Sequence, residues 1–130
     1  MILASSAIVG VLRKEPRYEA LAAQIRAAET IGVGTPTLVE TEIVLVGGVG
    51  HSGRVLLRHF VLEEGVEVIP FGNEHWREAG RAFARFGKGR HPARLNFGDC
   101  MTYATARVAG EPLLCLGDDF AQTDLDVVRL

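Results

Sequence analysis

Residues 112–120 read Pro112-Leu113-Leu114-Cys115-Leu116-Gly117-Asp118-Asp119-Phe120. An apolar run this brief, held between a proline and a glycine, reads as a strand buried on both faces, as parallel strands are. In an open parallel sheet, ligands bind beyond the carboxyl ends of the strands. Gly117, Asp118 and Asp119 fall there. Working outward, Met1–Leu3 and Thr30–Val33 read as further short strands, and Val66–Phe71 as another, with Pro70 near its end. Helical patterns fill the gaps in pairs. Ser5 or Ser6 is a fair N-cap for a helix over Ala7–Leu12. Pro16 suits the first turn of a second helix, with Leu21, Ala22, Ile25 and Ala28 on one face. Thr35-Pro36 starts a third that runs to about Leu45 and ends at Gly47-Gly48. Gly53–Glu63 is amphipathic. Asn73 is placed to cap a helix carrying Trp76, Ala79, Phe83 and Phe86, which breaks at Gly87. Gly87–Pro92 has loop composition, and Phe97–Val108 is helical. Strand and helix pair alternate throughout, which predicts an α/β sandwich on a mainly parallel sheet.

The chain has 130 residues, 48% hydrophobic and 23% charged. That suits one domain over 1–130 with a real core, and excludes global disorder. Fourteen basic against sixteen acidic side chains give a net charge of -2, so the chain is no simple polycation. The charges are segregated, however. Arg77, Arg81, Arg85, Lys88, Arg90 and Arg94 lie close together, while Asp118, Asp119, Asp124 and Asp126 crowd the last strand's exit. Cys100 and Cys115 show neither a zinc spacing nor a disulfide framework and read as reduced and buried. Apolar runs stop short of the ~18 residues of a membrane span, and the opening Met1-Ile2-Leu3 shows no basic n-region, so a cytoplasmic location is expected.

Position 4 falls at the end of the first strand, Glu40 one turn into the helix after the second, and Asp99 near the start of the helix beginning at Phe97. Carboxylates from distant segments would thus share one rim. Crowded carboxylates raise one another's pKa, and a divalent cation relieves the repulsion. Oxygen donors select Mg²⁺ or Mn²⁺ over zinc. Such an ion suits phosphodiester hydrolysis. Plainer readings stand beside this one. Asn96-x-x-Asp99 has capping-box spacing, Asp118-Asp119 suits a turn, either Glu40 or Glu42 could be merely solvated, and the basic run could be a solvated helix face. The glycine-rich stretches lack the phosphate-cradle and dinucleotide signatures.

Seven pieces follow one another along the chain: Met1-Ile2-Leu3-Ala4-Ser5-Ser6-Ala7, Pro36-Thr37-Leu38-Val39-Glu40, Val66–Phe71, Gly87–Ala93, Leu95-Asn96-Phe97-Gly98-Asp99-Cys100, Pro112–Phe120 and Thr123-Asp124. Taken in this order they resemble the PIN-domain family, and within it VapC-type ribonuclease toxins of toxin–antitoxin pairs. The resemblance implies a three-layer α/β/α sandwich whose acidic cluster binds Mg²⁺ or Mn²⁺ and cleaves RNA. It assigns Glu40, Asp99 and Asp119 (or its neighbour Asp118) to the cluster, with Ser6 and Asn96 in support. It also implies a small antitoxin partner and a homodimer. Arg77, Arg81, Lys88, Arg90 and Arg94 are candidates for RNA phosphates. One departure stands out: the family usually carries aspartate at position 4, and this chain has Ala4. A weak or silent nuclease is therefore expected. The alternative is a non-catalytic PIN-fold module that dimerises and binds antitoxin or RNA without cutting. A small-molecule phosphatase is a third reading, though the first loop lacks an Asp-x-Asp signature.

Overall fold

The computed structural model describes residues 1–130. Four parallel strands form the sheet, β1 (Ile2–Leu3), β2 (Gly32–Gly34), β3 (Glu67–Ile69) and β4 (Leu113–Leu114), in the order β3-β2-β1-β4. Ile2 pairs with Gly32 on one side and Leu113 on the other, so β1 is central. The tail runs on beside β4, where Val128 N–H donates to Leu113 O at 2.9 Å.

Side chains alternate across the sheet, as strand geometry requires. Ile2 and Leu113 point into one apolar cluster with Ala79, Ala82, Phe86, Leu95 and Tyr103. Leu3, Val33 and Leu114 point into the opposite cluster with Ile8, Leu21, Leu45, Leu57 and Phe60. The first face is covered by α5 (Asn73–Phe86) and α6 (Phe97–Ala109), and the second by α1 (Ser5–Leu12), α2 (Tyr18–Ala27), α3 (Thr35–Val49) and α4 (Ser52–Glu63). This is the three-layer α/β/α sandwich with its parallel sheet.

Several local expectations are corrected. Neither Ser5 nor Ser6 caps a helix: both lie inside α1, whose N-cap is Ala4, and no side chain bonds there. Pro16 lies before the second helix, whose entry is Arg17 at φ 74°. Gly47-Gly48 does not end α3; the helix runs to Val49 and stops at Gly50, whose φ of 74° only glycine adopts readily. Asn73 is the first residue of α5, not its cap, and its Oδ1 accepts from Trp76 Nε1 at 2.7 Å. Trp76 and Phe83 do not join Ala79 and Phe86 in the core but face solvent.

Candidate active site at the carboxyl edge of the sheet

The carboxyl ends of β1, β2 and β4 open on one rim, and each chain segment leaving it carries a candidate residue. After β1 comes Ala4, 3% exposed, packed in the cluster that also holds Cys100, Cys115 and Phe120. Its N–H donates to Leu114 O at 3.0 Å, which ties the exit of β1 to that of β4. Ser6 strengthens the tie: its Oγ accepts from Leu116 N–H at 3.0 Å. The hydroxyl expected at a helix cap therefore fixes the strand exit that leads to Asp118 and Asp119.

After β2 the chain enters α3 directly, which carries Glu40. Two contacts hold this helix and the end of β2 against α6, Thr37 with Thr102 and Gly34 with Thr105, and a bond within α3 orients the first. The buried hydroxyls of Thr37 and Thr102 lie 3.0 Å apart, and Thr41 Oγ1 donates to Thr37 O at 2.7 Å. Gly34 lies against Thr105, with no room for a side chain between them. Gly98, in the first turn of α6, has the same property towards Glu40: a Cβ there would run into the Glu40 carboxylate. Glycine at 98 is thus what lets Glu40 approach the N-terminus of α6, where free N–H groups favour negative charge. Glu42 is the solvated member of the pair, on the outer face with Arg54 at 3.5 Å and Arg58 at 3.7 Å.

Asp99 does form the capping box. Its N–H donates to Asn96 Oδ1 at 2.9 Å, and Asn96 N–H donates to Asp99 Oδ2 at 3.1 Å. The cap leaves the other carboxylate oxygen uncommitted, so capping and ligation are compatible. Burial pushes the Asp99 carboxyl above its ordinary value, the Asn96 N–H opposes that rise, and the charges of Glu40 and Asp119 add to it. Asp119 and Asp118 are exposed at the loop after β4. Of the two, Asp119 is the one whose charge reaches Asp99. Burial, helped by the charge of Asp99, pushes the Cys100 thiol up to about 11. Cys115 likewise reaches about 11, by burial and then the charges of Asp119, Asp99 and Asp118. Both cysteines are buried, and neither belongs to a group of side chains gathered closely enough to hold an ion.

The donor set is therefore carboxylate oxygen, which suits a hard divalent cation. The set is also open: no three acidic, histidine or cysteine side chains gather closely enough to hold an ion. At position 4, the exit of the central strand β1, Ala4 contributes a buried methyl group and no side-chain oxygen.

Several of the basic residues have neighbours of their own. Arg81 pairs with Glu78 at 2.8 Å. Arg77 lies 5.8 Å from the Trp76 ring centre and Arg90 5.3 Å from that of Phe83. Lys88 and Arg94 are exposed in the loop before α6. Sequence reasoning missed Gly98, whose signal was its place directly before Asp99. It named Asp124 without its role: the carboxylate accepts from the Tyr103 hydroxyl and pairs with Arg85 and Arg107.

The family profile described as PIN domain matches residues 1–125. Ribonuclease VapC36 of Mycobacterium tuberculosis is 44% identical over 97% of this chain and 91% of its own. Ribonuclease VapC of Mycolicibacterium smegmatis is 35% identical over 99% of this chain and all of its own. Among solved structures, Mycobacterium tuberculosis VapC20, described as a sarcin-ricin loop cleaving toxin, superposes with a TM-score of 0.82 at 18% identity. It covers 99% of this chain and 98% of its own. VapBC2 from Rickettsia felis, bound to a promoter DNA fragment, gives 0.75 at 17% identity, covering 98% and 96%.

Proposed function

The chain belongs to the PIN-domain family, and from that premise we propose that it is a VapC-type endoribonuclease toxin whose cutting is weakened or silenced by Ala4. The observation that carries the proposal is the family match over residues 1–125 together with the close approach of Glu40 on α3 to the first turn of α6, which holds Asp99. Residues 1–130 are taken as one working unit, expected in the cytoplasm. No helix is long and apolar enough to cross a membrane.

Glu40, Asp99 and Asp119 would hold Mg²⁺ or Mn²⁺, with Asp118 as the alternate to Asp119. When bound, the ion supplies an activated water and charge stabilisation at the phosphodiester. The chain's own contribution is orientation. Asn96 locks the Asp99 rotamer, Gly98 admits Glu40, and Ser6 anchors the strand exit that carries Asp119. Lys88, Arg90 and Arg94, beside α6, with Arg77 and Arg81 further along α5, are candidates for holding phosphates; these contacts position a strand without reading its sequence.

The partner proposed is a small antitoxin. A groove of about 420 Å³ between α3 and α4, lined by Leu38, Val39, Leu57, Val61 and Leu62, suits the apolar face of an amphipathic helix. Such a partner would bind whether or not position 4 carries a carboxylate. A second reading, a PIN-fold module that self-associates and binds antitoxin or RNA without cutting, is favoured by the Ala4 methyl itself.

The test is cleavage of structured RNA in Mg²⁺ or Mn²⁺ by this chain and by Ala4→Asp, with Asp99→Asn in the Ala4→Asp background as control. Cutting by Ala4→Asp that Asp99→Asn abolishes supports the nuclease. No cutting by Ala4→Asp under conditions where it binds metal would leave the binding module.

A further inference from the structure

The buried hydroxyls of this chain are concentrated on two helices. Thr37, Thr41, Thr102 and Thr105 are each 3% exposed or less, and, the Tyr103 hydroxyl and the two thiols apart, they are the polar side chains that the core takes in. All four are carried by α3 and α6. The Thr37 and Thr102 hydroxyls bond across the seam between these helices at 3.0 Å. Thr41 Oγ1 donates to Thr37 O at 2.7 Å and Thr105 Oγ1 to Met101 O at 2.9 Å. No buried hydroxyl is left without a partner. Valine would fill the same space, so volume does not account for the hydroxyls. A buried and fully bonded polar pair adds what an apolar contact lacks: it fixes one arrangement of the two surfaces.

The order of contacts along the seam leads to the acidic rim. Gly34 meets Thr105, where an added Cβ would lie 2.5 Å from the hydroxyl oxygen, and Thr37 meets Thr102. The second contact lies three residues onward on one side of the seam and three residues back on the other. One further step in the same senses arrives at Glu40 and Asp99. Glu40 does lie against the first turn of α6, since a Cβ on Gly98 would strike its carboxylate. Two carboxylates repel each other when brought together. Their approach is imposed by the packing behind them, and the Gly34–Thr105 and Thr37–Thr102 contacts are that packing.

We propose that Thr37 and Thr102 are positioning residues that set the separation of the Glu40 and Asp99 carboxylates, and that the seam thereby fits the rim to a small divalent cation and against a larger one. Mg²⁺ demands short oxygen contacts in near-ideal geometry, whereas Ca²⁺ takes longer contacts in flexible sites. Selection between them is a matter of how far apart the ligands stand and how freely they move. Here one carboxylate is carried by each side of a hydrogen-bonded seam, and the glycines at 34 and 98 leave no spare room between the two sides. Such a rim does not open for the larger ion. The inference rests on the proposed reading of the rim as a cation site, and names the residues that decide which cation it prefers.

The test is Mn²⁺ titration, with Mg²⁺ and Ca²⁺ as competitors, of the full chain carrying Ala4→Asp and of the same chain with Thr37→Val and Thr102→Val added. Removing both hydroxyls together keeps the volume and orphans neither partner, so the melting temperature should match or exceed that of the Ala4→Asp parent. Mn²⁺ affinity should nevertheless fall about tenfold or more, and the preference for Mg²⁺ over Ca²⁺ should narrow by a similar factor. Thr102→Ser, which keeps a hydroxyl, should leave both values near the parent's. Unchanged affinity and preference in the double valine variant, or an affinity that falls only in step with the melting temperature, would overturn the proposal. A parent that binds no cation would overturn the cation reading of the rim, and the ion preference with it. The seam is judged separately, without metal. Glu40→Gln should raise the melting temperature of the Ala4 chain by relieving repulsion, and should raise it less once Thr37→Val and Thr102→Val are present. An equal rise in both would show that the seam does not hold the carboxylates together.

Discussion

Replacing Asp124 by alanine removes the acceptor for a hydroxyl that the fold has buried. Tyr103 is 2% exposed, and its hydroxyl donates to Asp124 Oδ1 at 2.5 Å. A hydrogen bond to a charged group contributes about 1.5–3 kcal/mol. The pairs of Asp124 with Arg85 at 3.3 Å and Arg107 at 3.6 Å lie nearer the surface and add at most about 1 kcal/mol together. Asp124→Ala should therefore cost about 2–4 kcal/mol in urea unfolding. Asp124→Asn, which keeps an acceptor, should cost less. Tyr103→Phe combined with Asp124→Ala should cost less than the sum of the two. The pH dependence follows from the same contacts. Burial alone would raise the Asp124 carboxyl, but the Tyr103 hydroxyl, Arg107 and Arg85 outweigh it and hold the carboxyl below its ordinary 3.8. Its stabilising contribution is present above that value and is lost as pH falls through the lower folded-state pKa. Tyr103 has the opposite sign. Burial first, then the Asp124 hydrogen bond and charge, push the phenol from 10.0 to about 12. That contribution is whole below pH 10 and disappears as pH rises towards 12. Additive costs in the double variant, or an unchanged acid and alkaline limb in Asp124→Asn, would refute this account of the contact.

Other outcomes are expected from single contacts. Ser6→Ala leaves the Leu116 N–H without its partner and should cost about 1 kcal/mol, read by thermal denaturation. Gly53→Ala would set a Cβ 2.7 Å from the Leu45 carbonyl, and backbone cannot step aside as a flexible side chain does. About 1–3 kcal/mol should be lost, with hydrogen exchange accelerated first in α4. Asp99→Asn in metal-free buffer should raise the melting temperature at neutral pH, because it removes a half-buried charge facing Glu40 and Asp119 while an amide oxygen can still accept from Asn96 N–H. A lower melting temperature would mean that the cap needs the charge.

Much of the layer plan was legible because it depends on short-range pattern. Apolar runs too brief for helices, such as Leu113–Leu116, had to be strands, and each pair of helical stretches between them had to cover a face. Helix ends were less legible. The Gly47-Gly48 pair looked like a stop, yet α3 passes through it and ends at Gly50, whose φ of 74° takes the chain out of the helix. Trp76 and Phe83 follow the same periodicity as Ala79 and Phe86, so the pattern grouped them. Only the packing against α6 separates a core face from an outward one. Within the candidate site, Glu40, Asp99 and the paired aspartates were visible as carboxylates after strands. The role of Ser6 was not, since its partner is 110 residues away. Nor was the fit of Gly98 beneath Glu40, which exists only once α3 and α6 are side by side.

Completion of a cation site by one oxygen at position 4 is the claim on which the rest depends. Calorimetric titration of Mn²⁺ into this chain and into Ala4→Asp measures it without requiring RNA to be cut. On the proposed site, a carboxylate added at position 4 should tighten binding about 10–100-fold or more. Equal binding by the two proteins, or none by either, would show that these carboxylates are caps and turns and that the rim is not a metal site.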